Sequence, residues 1–330
     1  MAKERNEMTG EERVDLYRKM RVIREAETSL SGLFANNEIP GFIHLSLGQE
    51  AVAVGVCDAL DKGDTLASNH RGHGHALAQG ISLESFFLEL FGKDGGICRG
   101  RGGSMHIADM SVGMLGANGI VGGGLAIALG SALAHSVKKS GNIAVVFFGD
   151  GALGEGLLHE VLNLASLWGL PLLLVCENNG WSEFSRSSDQ ITASIGDLAK
   201  SFSIPFERVD GTKVNEVRSV AGELCDRLRV GQGPALLECV TVRWHGHYEG
   251  DPQKYRAEGD QDTATSTDCV ALERDRLAKE GVDVGTLDRF DTEVKAEVEA
   301  AVVAARCGMA PDFAAALSDV HRKTIGSRHV

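Results

Sequence analysis

Hydrophobic positions in the second half of the chain follow two alternating patterns. Helical spacing predicts helices at 125–140, 153–168 and 213–229. Between these helices lie short, mostly apolar runs that predict strands: NIAVVFFGD, LPLLLVCEN, FERVDG and ALLECVTVRW. Apolar strands that alternate with helices are typical of a parallel sheet covered on both faces. The pattern therefore predicts an α/β fold whose ligands bind at the carboxyl ends of the strands.

The remaining segments have different patterns. An amphipathic helix is predicted at 11–36 with Thr9 as its N-cap, and several short helices are predicted in the Gly-, His- and Arg-rich region 40–125. The polar stretch 250–268 predicts a surface loop, and the acidic, Ala-rich end of the chain predicts helices. We expect three parts: a helical arm (1–40), an α/β domain (41–260) and a helical extension (261–330).

Composition restricts the classes of partner. The chain has 330 residues, 43% of them hydrophobic, and a formal net charge of −13, which disfavours binding to nucleic acid or to an anionic membrane. Any phosphate must then be held by a local site. The seven cysteines include no C-x-x-C pair, and the N-terminus lacks the apolar core of a signal peptide, so we expect a cytoplasmic protein.

Two motifs have alternative interpretations that we disfavour. The stretch RGRGGS (99–104) is a single copy on an acidic chain, which argues against RNA binding. The histidines of SNHRGHGHALAQG suggest zinc, but no cysteine or carboxylate lies close in sequence to complete a tetrahedral site.

The stretch VVFFGDGALGEG poses the main question of chemistry. Gly149, Gly151 and Gly154 fit the G-x-G-x-x-G pattern of a dinucleotide site, and Glu177 ends the next strand, where a ribose contact would lie. However, Asp150 would repel a bare diphosphate unless a divalent cation lay between them. Asp150 is thus better explained as a magnesium ligand, with CENNGW supplying Asn178 and Asn179, although adjacent asparagines also suit an ordinary turn.

Six motifs in order resemble one family. GDG followed by ENN is similar to the thiamine diphosphate motif, and FIHLSLGQEAVAVG, HRGHGHALAQG, GRGGSMHIAD, GANGIVGGG and RWHGHYEGDPQKYR extend the similarity over roughly residues 12–260. The chain resembles the α subunit of two-subunit 2-oxo acid and acetoin dehydrogenases. The resemblance implies the thiamine-diphosphate-binding fold, with thiamine diphosphate and Mg²⁺ as cofactors.

The resemblance also implies roles for single residues. It assigns Mg²⁺ to Asp150, the Asn179 side chain and the Trp181 carbonyl. It assigns the diphosphate to Arg71, Arg243, Gly151 and Ala152, and the aminopyrimidine ring to Gly119 and Val121. His70 is a further cofactor-binding candidate, although it stands where relatives have Tyr. His247 is implied in proton transfer, with His44 and His73 as further catalytic candidates, although His73 could equally be an exposed loop residue. Tyr248 stands where some relatives have a regulatory serine, so that control is absent here.

The family supplies the carboxylate for the aminopyrimidine nitrogen from a separate β subunit. The resemblance therefore implies that the chain is inactive alone, that it forms an α2β2 heterotetramer, and that a lipoyl acyltransferase accepts the acyl fragment. The loop RWHGHYEGDPQKYR is closer to acetoin-type than to pyruvate-type chains, so we favour acetoin. A carboligase without a lipoyl partner and an NAD-dependent oxidoreductase remain alternatives. We expect the loops 70–110 and 245–265 to be mobile without cofactor.

Overall fold

A six-stranded parallel sheet forms the centre of the molecule. The computed structural model describes residues 8–257, 259–260, 266–312 and 314–315. The strands lie in the order β2-β1-β3-β4-β8-β7, and every pair is parallel. Their bounds are β1 Thr65–Ala67, β2 Met114–Gly116, β3 Ala144–Gly149, β4 Leu172–Asn178, β7 Phe206–Asp210 and β8 Ala235–Val240. A separate antiparallel hairpin consists of β5 (Trp181–Ser182) and β6 (Ser185–Arg186).

Helices surround the sheet. In chain order they are α1 Gly10–Ala35, α2 Glu50–Cys57, α3 His73–Ala78, α4 Leu83–Leu90, α5 Gly123–Lys138, α6 Gly156–Trp168, α7 Ile195–Ser201, α8 Val214–Arg229, α9 Cys269–Lys279 and α10 Val284–Cys307. Short 3₁₀ turns cover Asp150–Gly154 and Ser187–Asp189. No helix among these described residues is long and apolar enough to cross a membrane.

Alternate side chains of each central strand enter two different cores. In β3, Val145 and Phe147 pack in the core that includes α2 and α8, whereas Val146 and Phe148 pack in the core that includes α5 and α6. Successive side chains of a strand point to opposite faces, so both faces of this sheet are covered by helices. The predicted α/β fold with a parallel sheet between two helical layers is confirmed.

The N-terminal helix begins where its sequence indicates. Thr9 Oγ1 accepts a hydrogen bond from the Glu12 N–H at 3.2 Å, and Glu12 Oε2 accepts one from the Thr9 N–H at 2.8 Å. This reciprocal capping box satisfies backbone donors that the first turn leaves unpaired. Helices α1 and α10 both pack into the core that includes α2 and α8. The division into three parts remains a prediction.

Two predicted segments extend beyond the residues that the structure describes. The predicted surface loop 250–268 includes residues 258 and 261–265, and the predicted helical extension includes 313 and 316–330; these lie outside the described residues. Where the end of the chain is described, α9 and α10 are helical as predicted. The mobility of the loops 70–110 and 245–265 without cofactor remains a prediction.

Strand register brings the functional candidates to one edge. Gly149 pairs with Glu177, and Asn178 pairs with Val240, so β3, β4 and β8 end side by side. The segments that follow these strands carry Asp150, Asn179 and Arg243, which therefore meet at the carboxyl edge of the sheet.

Candidate functional site

A cavity of about 190 Å³ opens at this carboxyl edge. Its wall includes Asn69–Arg71 after β1, Asp150–Ala152 after β3, Asn179 and Trp181 after β4, and Arg243 and His247 after β8. Four loops that are distant in sequence thus converge on one space. Of the residues that the resemblance implied, ten line the cavity: His70, Arg71, Val121, Asp150, Gly151, Ala152, Asn179, Trp181, Arg243 and His247.

Asp150 is a buried carboxylate with few partners. It is only 2% exposed, it accepts the Asn179 N–H at 3.4 Å, and the Ser187 hydroxyl donates to its Oδ2. Burial raises the pKa of Asp150 above its ordinary value, since desolvation disfavours the charged form. No lysine or arginine within the described ranges pairs with this carboxylate. A cation in the cavity would compensate the cost of its burial.

The two adjacent asparagines have different positions. Asn178 Nδ2 donates to Glu238 at 2.6 Å, on the neighbouring strand, whereas Asn179 lines the cavity and its Nδ2 donates to Gln49 at 2.9 Å. Both side-chain oxygens also accept a backbone N–H two residues on, so the Asn-Asn pair does form turns. The carboxylate of Asp150 and the amide oxygen of Asn179 nevertheless form an oxygen donor set of the kind that Mg²⁺ prefers.

The histidines of the described ranges do not form a metal site. Among the described residues, no group of three or more His, Cys, Asp or Glu side chains has the geometry to hold a metal ion. This finding argues against the zinc alternative. It is compatible with an ion held by one carboxylate together with amide, carbonyl and phosphate oxygens.

Two buried arginines make part of the cavity wall cationic. Arg71 donates to the Leu45 carbonyl at 2.9 Å, and Arg243 donates to the Glu183 carbonyl at 3.2 Å and the Tyr255 hydroxyl at 3.1 Å. Neither guanidinium forms an ion pair with a carboxylate in the part of the chain that the structure describes, and Arg243 Nε has no partner there. Burial, with repulsion from Arg243, lowers the pKa of Arg71 to about 9. Buried cations without carboxylates indicate an anionic ligand.

The glycine turn after β3 sits against the β5–β6 hairpin. A Cβ atom on Gly151 would lie 2.8 Å from Ser182 Oγ, so a larger residue would displace the hairpin. Gly151 and Ala152 lie in the cavity wall, within the 3₁₀ turn that precedes α6. Such turns direct backbone N–H groups toward a bound phosphate.

Three imidazoles cluster at one side of the cavity. The ring centroids of His44 lie 4.9 Å from His70 and 5.0 Å from His247, and those of His70 and His247 are 5.4 Å apart. Burial, with repulsion from Arg71, lowers the pKa of His44 to about 3 and that of His247 to about 4, and it lowers the pKa of His70 well below 6.5. All three rings are therefore neutral at neutral pH.

His44, Gly119 and His73 do not line the cavity. His44 packs behind His70 and His247, and its Nδ1 is buried with no hydrogen-bond partner among the described residues. His73 is fully buried: its Nδ1 contacts Glu27 Oε1 at 3.0 Å and its Nε2 contacts Ser104 Oγ at 2.8 Å. The alternative of an exposed loop residue is wrong for His73, and its geometry favours a positioning role over contact with substrate.

Sequence reasoning named Glu177 only as the ribose contact of the dinucleotide alternative, and it missed the partners of Glu177 and the role of Asp251. Glu177 is buried and accepts hydrogen bonds from Gln49, Asn69 and His75 at 3.2–3.4 Å. These three donors occupy the carboxylate that the dinucleotide alternative required for a ribose. Asp251 accepts the His247 N–H at 2.7 Å and the Tyr255 hydroxyl at 2.6 Å, and thereby fixes the His247 loop. The Asp-Pro dipeptide after His247 was the available signal, because it favours a turn.

The fold and the cavity define a class of protein. A parallel sheet presents two buried carboxylates, Asp150 and the hydrogen-bonded Glu177, and two buried guanidiniums without an ion pair among the described residues at its carboxyl edge. This is an arrangement for a metal-bridged anionic cofactor. Comparison with known proteins specifies the class. The family model described as "Dehydrogenase E1 component" matches residues 18–312. The chain belongs to this family of thiamine-diphosphate-dependent oxidoreductases.

Individual relatives are similar over nearly their whole length. The chain is 46% identical over 310 residues to the alpha subunit of acetoin:2,6-dichlorophenolindophenol oxidoreductase of Cupriavidus necator, covering 93% of each chain. It is 43% identical to the subunit of the same name from Bacillus subtilis, covering 95% of each chain. It is 36% identical to the alpha subunit of the pyruvate dehydrogenase E1 component of Rhizobium meliloti, covering 95% of this chain and 91% of the relative.

Proposed function

We propose that this chain is the α subunit of an acetoin dehydrogenase E1 component. The observation that carries the proposal is that one cavity is lined by the buried Asp150 carboxylate and by the buried Arg71 and Arg243 guanidiniums, which form no ion pair among the described residues. A magnesium diphosphate matches this charge pattern: the cation satisfies Asp150 and the phosphates satisfy the arginines.

The chain's own residues then have defined tasks. Asp150, Asn179 and the Trp181 carbonyl hold Mg²⁺, Gly151 and Ala152 offer N–H groups to the diphosphate, and Gly119 and Val121 bind the aminopyrimidine ring. Bound thiamine diphosphate supplies a nucleophilic carbon and an electron sink for cleavage of a bond next to a carbonyl. His247 is the candidate for proton transfer with a substrate oxygen, and the neutral ring beside Arg71 offers its N–H to that oxygen.

A second chain completes the site in this proposal. The relatives are named alpha subunits, which supports a β subunit for this chain. Exposed apolar side chains flank the cavity: Ile120 and Val121 are 72% and 47% exposed, and Phe184, 44% exposed, contacts His247. Large exposed apolar groups around a site suit a protein partner. The proposed function also includes an α2β2 assembly and a lipoyl acyltransferase that receives the acyl fragment.

Acetoin is favoured over pyruvate by the relatives. Two acetoin oxidoreductase subunits are 46% and 43% identical to this chain, compared with 36% for the pyruvate dehydrogenase subunit of Rhizobium meliloti. The seven cysteines are all free in the structure, which supports our expectation of a reducing, cytoplasmic location.

Dye reduction tests the proposal. The chain is co-expressed with a β subunit, and reduction of 2,6-dichlorophenolindophenol is measured with acetoin, pyruvate and branched 2-oxo acids, with Mg²⁺ and thiamine diphosphate present. We expect turnover with acetoin, loss of turnover in Asp150→Asn and normal turnover in Asp275→Asn, since Asp275 is exposed on α9. Metal-dependent cofactor binding without turnover of any substrate would instead favour the carboligase, which acyloin formation would reveal.

A further inference from the structure

The carboxylate of Glu89 collects four backbone N–H groups of one loop. Glu89 is fully buried on α4. Its Oε2 accepts from the N–H groups of Cys98 at 2.7 Å and Gly100 at 2.8 Å, and its Oε1 accepts from those of Gly102 at 2.7 Å and Gly103 at 3.0 Å. Hydrogen bonds to an ionised acceptor are about twice as strong as neutral ones. The loop 98–103 is therefore wrapped around a single side chain.

This arrangement explains the RGRGGS motif. Arg99, Gly100 and Gly103 have φ angles of +59°, +71° and +60°, which bend the loop so that four of its N–H groups reach the carboxylate. A Cβ atom on Gly102 would lie 2.7 Å from the His106 carbonyl oxygen and 3.3 Å from Glu89 Oε1. The glycines of the motif thus allow the backbone to approach a buried acid closely, which is a different purpose from contact with RNA.

A second buried acid holds the end of the same loop. Ser104 Oγ contacts His73 Nε2 at 2.8 Å, and His73 Nδ1 contacts Glu27 Oε1 at 3.0 Å. Glu27 also accepts from the Ser46 N–H at 2.8 Å. The order Ser-His-Glu resembles a hydrolytic triad, but His73 and Glu27 are fully buried and none of the three lines the cavity. The chain of contacts fixes the loop instead.

The loop backs the segment proposed to bind the cofactor ring. A Cβ atom on Gly119 would lie 3.6 Å from Met105 Sδ and 3.8 Å from His106 Nε2. The Ile107 carbonyl accepts a hydrogen bond from the Ala117 N–H at 2.8 Å. Residues 105–107 therefore form the support behind 117–121, whose Val121 lines the cavity.

We propose that Glu89 is a positioning residue that fixes the ring-binding segment around Gly119 through the loop 98–107. The inference rests on the proposed function, because it takes the cofactor ring as the ligand of this segment. Glu89 touches neither the cavity nor the metal side of the site. Glu89 should therefore affect the binding of the ring half of the cofactor and leave the binding of the diphosphate half unchanged.

Binding of two ligands, one with the ring and one without it, distinguishes the effects on the two halves of the site. The affinity of the complex with its β subunit is measured for thiamine diphosphate and for inorganic pyrophosphate, both with Mg²⁺. In Glu89→Gln the amide nitrogen faces two of the four N–H donors, so we expect thiamine diphosphate to bind about 10-fold more weakly, with pyrophosphate affinity unchanged. We also expect faster hydrogen exchange of the amides of 98–103. The matched control is Glu84→Gln, an exposed acid on the same helix.

A second variant covers the case in which Glu89→Gln does not fold. Gly102→Ala places a Cβ atom against the His106 carbonyl and close to Glu89 Oε1, which shifts the loop without removing the buried acid, and we expect the same selective loss. Equal weakening of both ligands, or wild-type affinity in both variants, would overturn the inference while the proposed function stands. Failure of the wild-type complex to bind thiamine diphosphate would overturn both.

Discussion

Arg71 donates two hydrogen bonds to His247, from Nη2 to the imidazole Nδ1 at 3.3 Å and to the backbone carbonyl at 2.8 Å. Because a guanidinium is only a donor, Nδ1 must accept, and the neutral ring carries its proton on Nε2. One arginine thereby selects the tautomer of His247 and fixes its loop, and together with burial, which is the larger cause, it lowers the pKa of His247.

Loss of Arg71 should shift the pH dependence of turnover. Arg71→Gln removes the nearest positive charge, so the pKa of His247 rises from about 4 toward its ordinary value of 6.5. More of the ring is then protonated at mildly acidic pH. We expect the acidic limb of kcat to move to higher pH, measured at saturating cofactor in the complex. Arg227→Gln, at an exposed position of α8, is the control, and an unmoved limb would contradict the coupling.

The imidazole cluster makes the chain sensitive to acid. The pKa values of His44 and His247 are lowered to about 3 and about 4, so between roughly pH 6.5 and 4 the unfolded chain takes up protons that the folded chain does not. Stability must then fall as the pH drops through this window, by about 2–4 °C in Tm for each kcal/mol lost. Thermal unfolding at pH 7 and pH 5 measures this. His44→Gln should reduce the difference, and an equal difference in that variant would argue against the cluster.

The ionised Asp150 carboxylate should destabilise the folded chain when no ligand is bound. Its pKa is raised by burial, so its ionised form destabilises the folded state at neutral pH. We expect Asp150→Asn to raise Tm without Mg²⁺ by a few degrees, or about 1 kcal/mol, and to lose the cofactor-dependent rise in Tm. A lower Tm without ligand would show that the carboxylate is instead stabilising through Ser187 and Asn179.

Removal of the metal should abolish the stabilisation of the folded chain by thiamine diphosphate. A ligand present at 100 times its Kd stabilises the folded state by about 2.7 kcal/mol. We expect thiamine diphosphate to raise Tm with Mg²⁺ and to have little effect after chelation, because Asp150 then repels the diphosphate. NAD should cause no rise under either condition. A metal-independent rise with NAD would restore the dinucleotide alternative.

His73 offers a test of positioning against catalysis. His73→Leu keeps similar bulk but removes the His73 hydrogen bond to the buried Glu27, which then keeps only its bonds from Ser46, and such a loss at a buried polar group costs about 1–3 kcal/mol. We expect a marked fall in Tm, whereas kcat at a temperature where the variant is folded falls little. A fall in kcat beyond 100-fold with an unchanged Tm would return His73 to the catalytic group.

Long, continuous patterns predicted the fold well, and short ones did not. The helix predicted at 213–229 is Val214–Arg229, and the four predicted strands all lie in the sheet. Strands β1 and β2 were missed within the Gly-rich region 40–125, because three residues are too few to show a period. The helix predicted from 153 begins at Gly156 instead, since Gly151 and Gly154 favour the tighter 3₁₀ turn.

The cavity was more predictable than the network behind it. Ten residues implied by the resemblance line the cavity because their motifs follow strand ends. Glu89 and the partners of Glu177 could not be found in this way, since their roles depend on residues that are far away in sequence and near only in the fold. His73 shows the same limit: its motif suggested chemistry, whereas burial and two bonded nitrogens favour support.

The alternation of β3 also limits how this chain is able to evolve. Phe147 and Phe148 enter opposite cores, and the strand ends one residue before Asp150. Insertion or deletion of a single residue within β3 would exchange the side chains on one side of the change between the two faces, and a change near the end of the strand would turn the acid away from its neighbours. Variation in length must therefore accumulate in connections outside the sheet, such as the mostly exposed segment 280–283 between α9 and α10, while β3 keeps its number of residues.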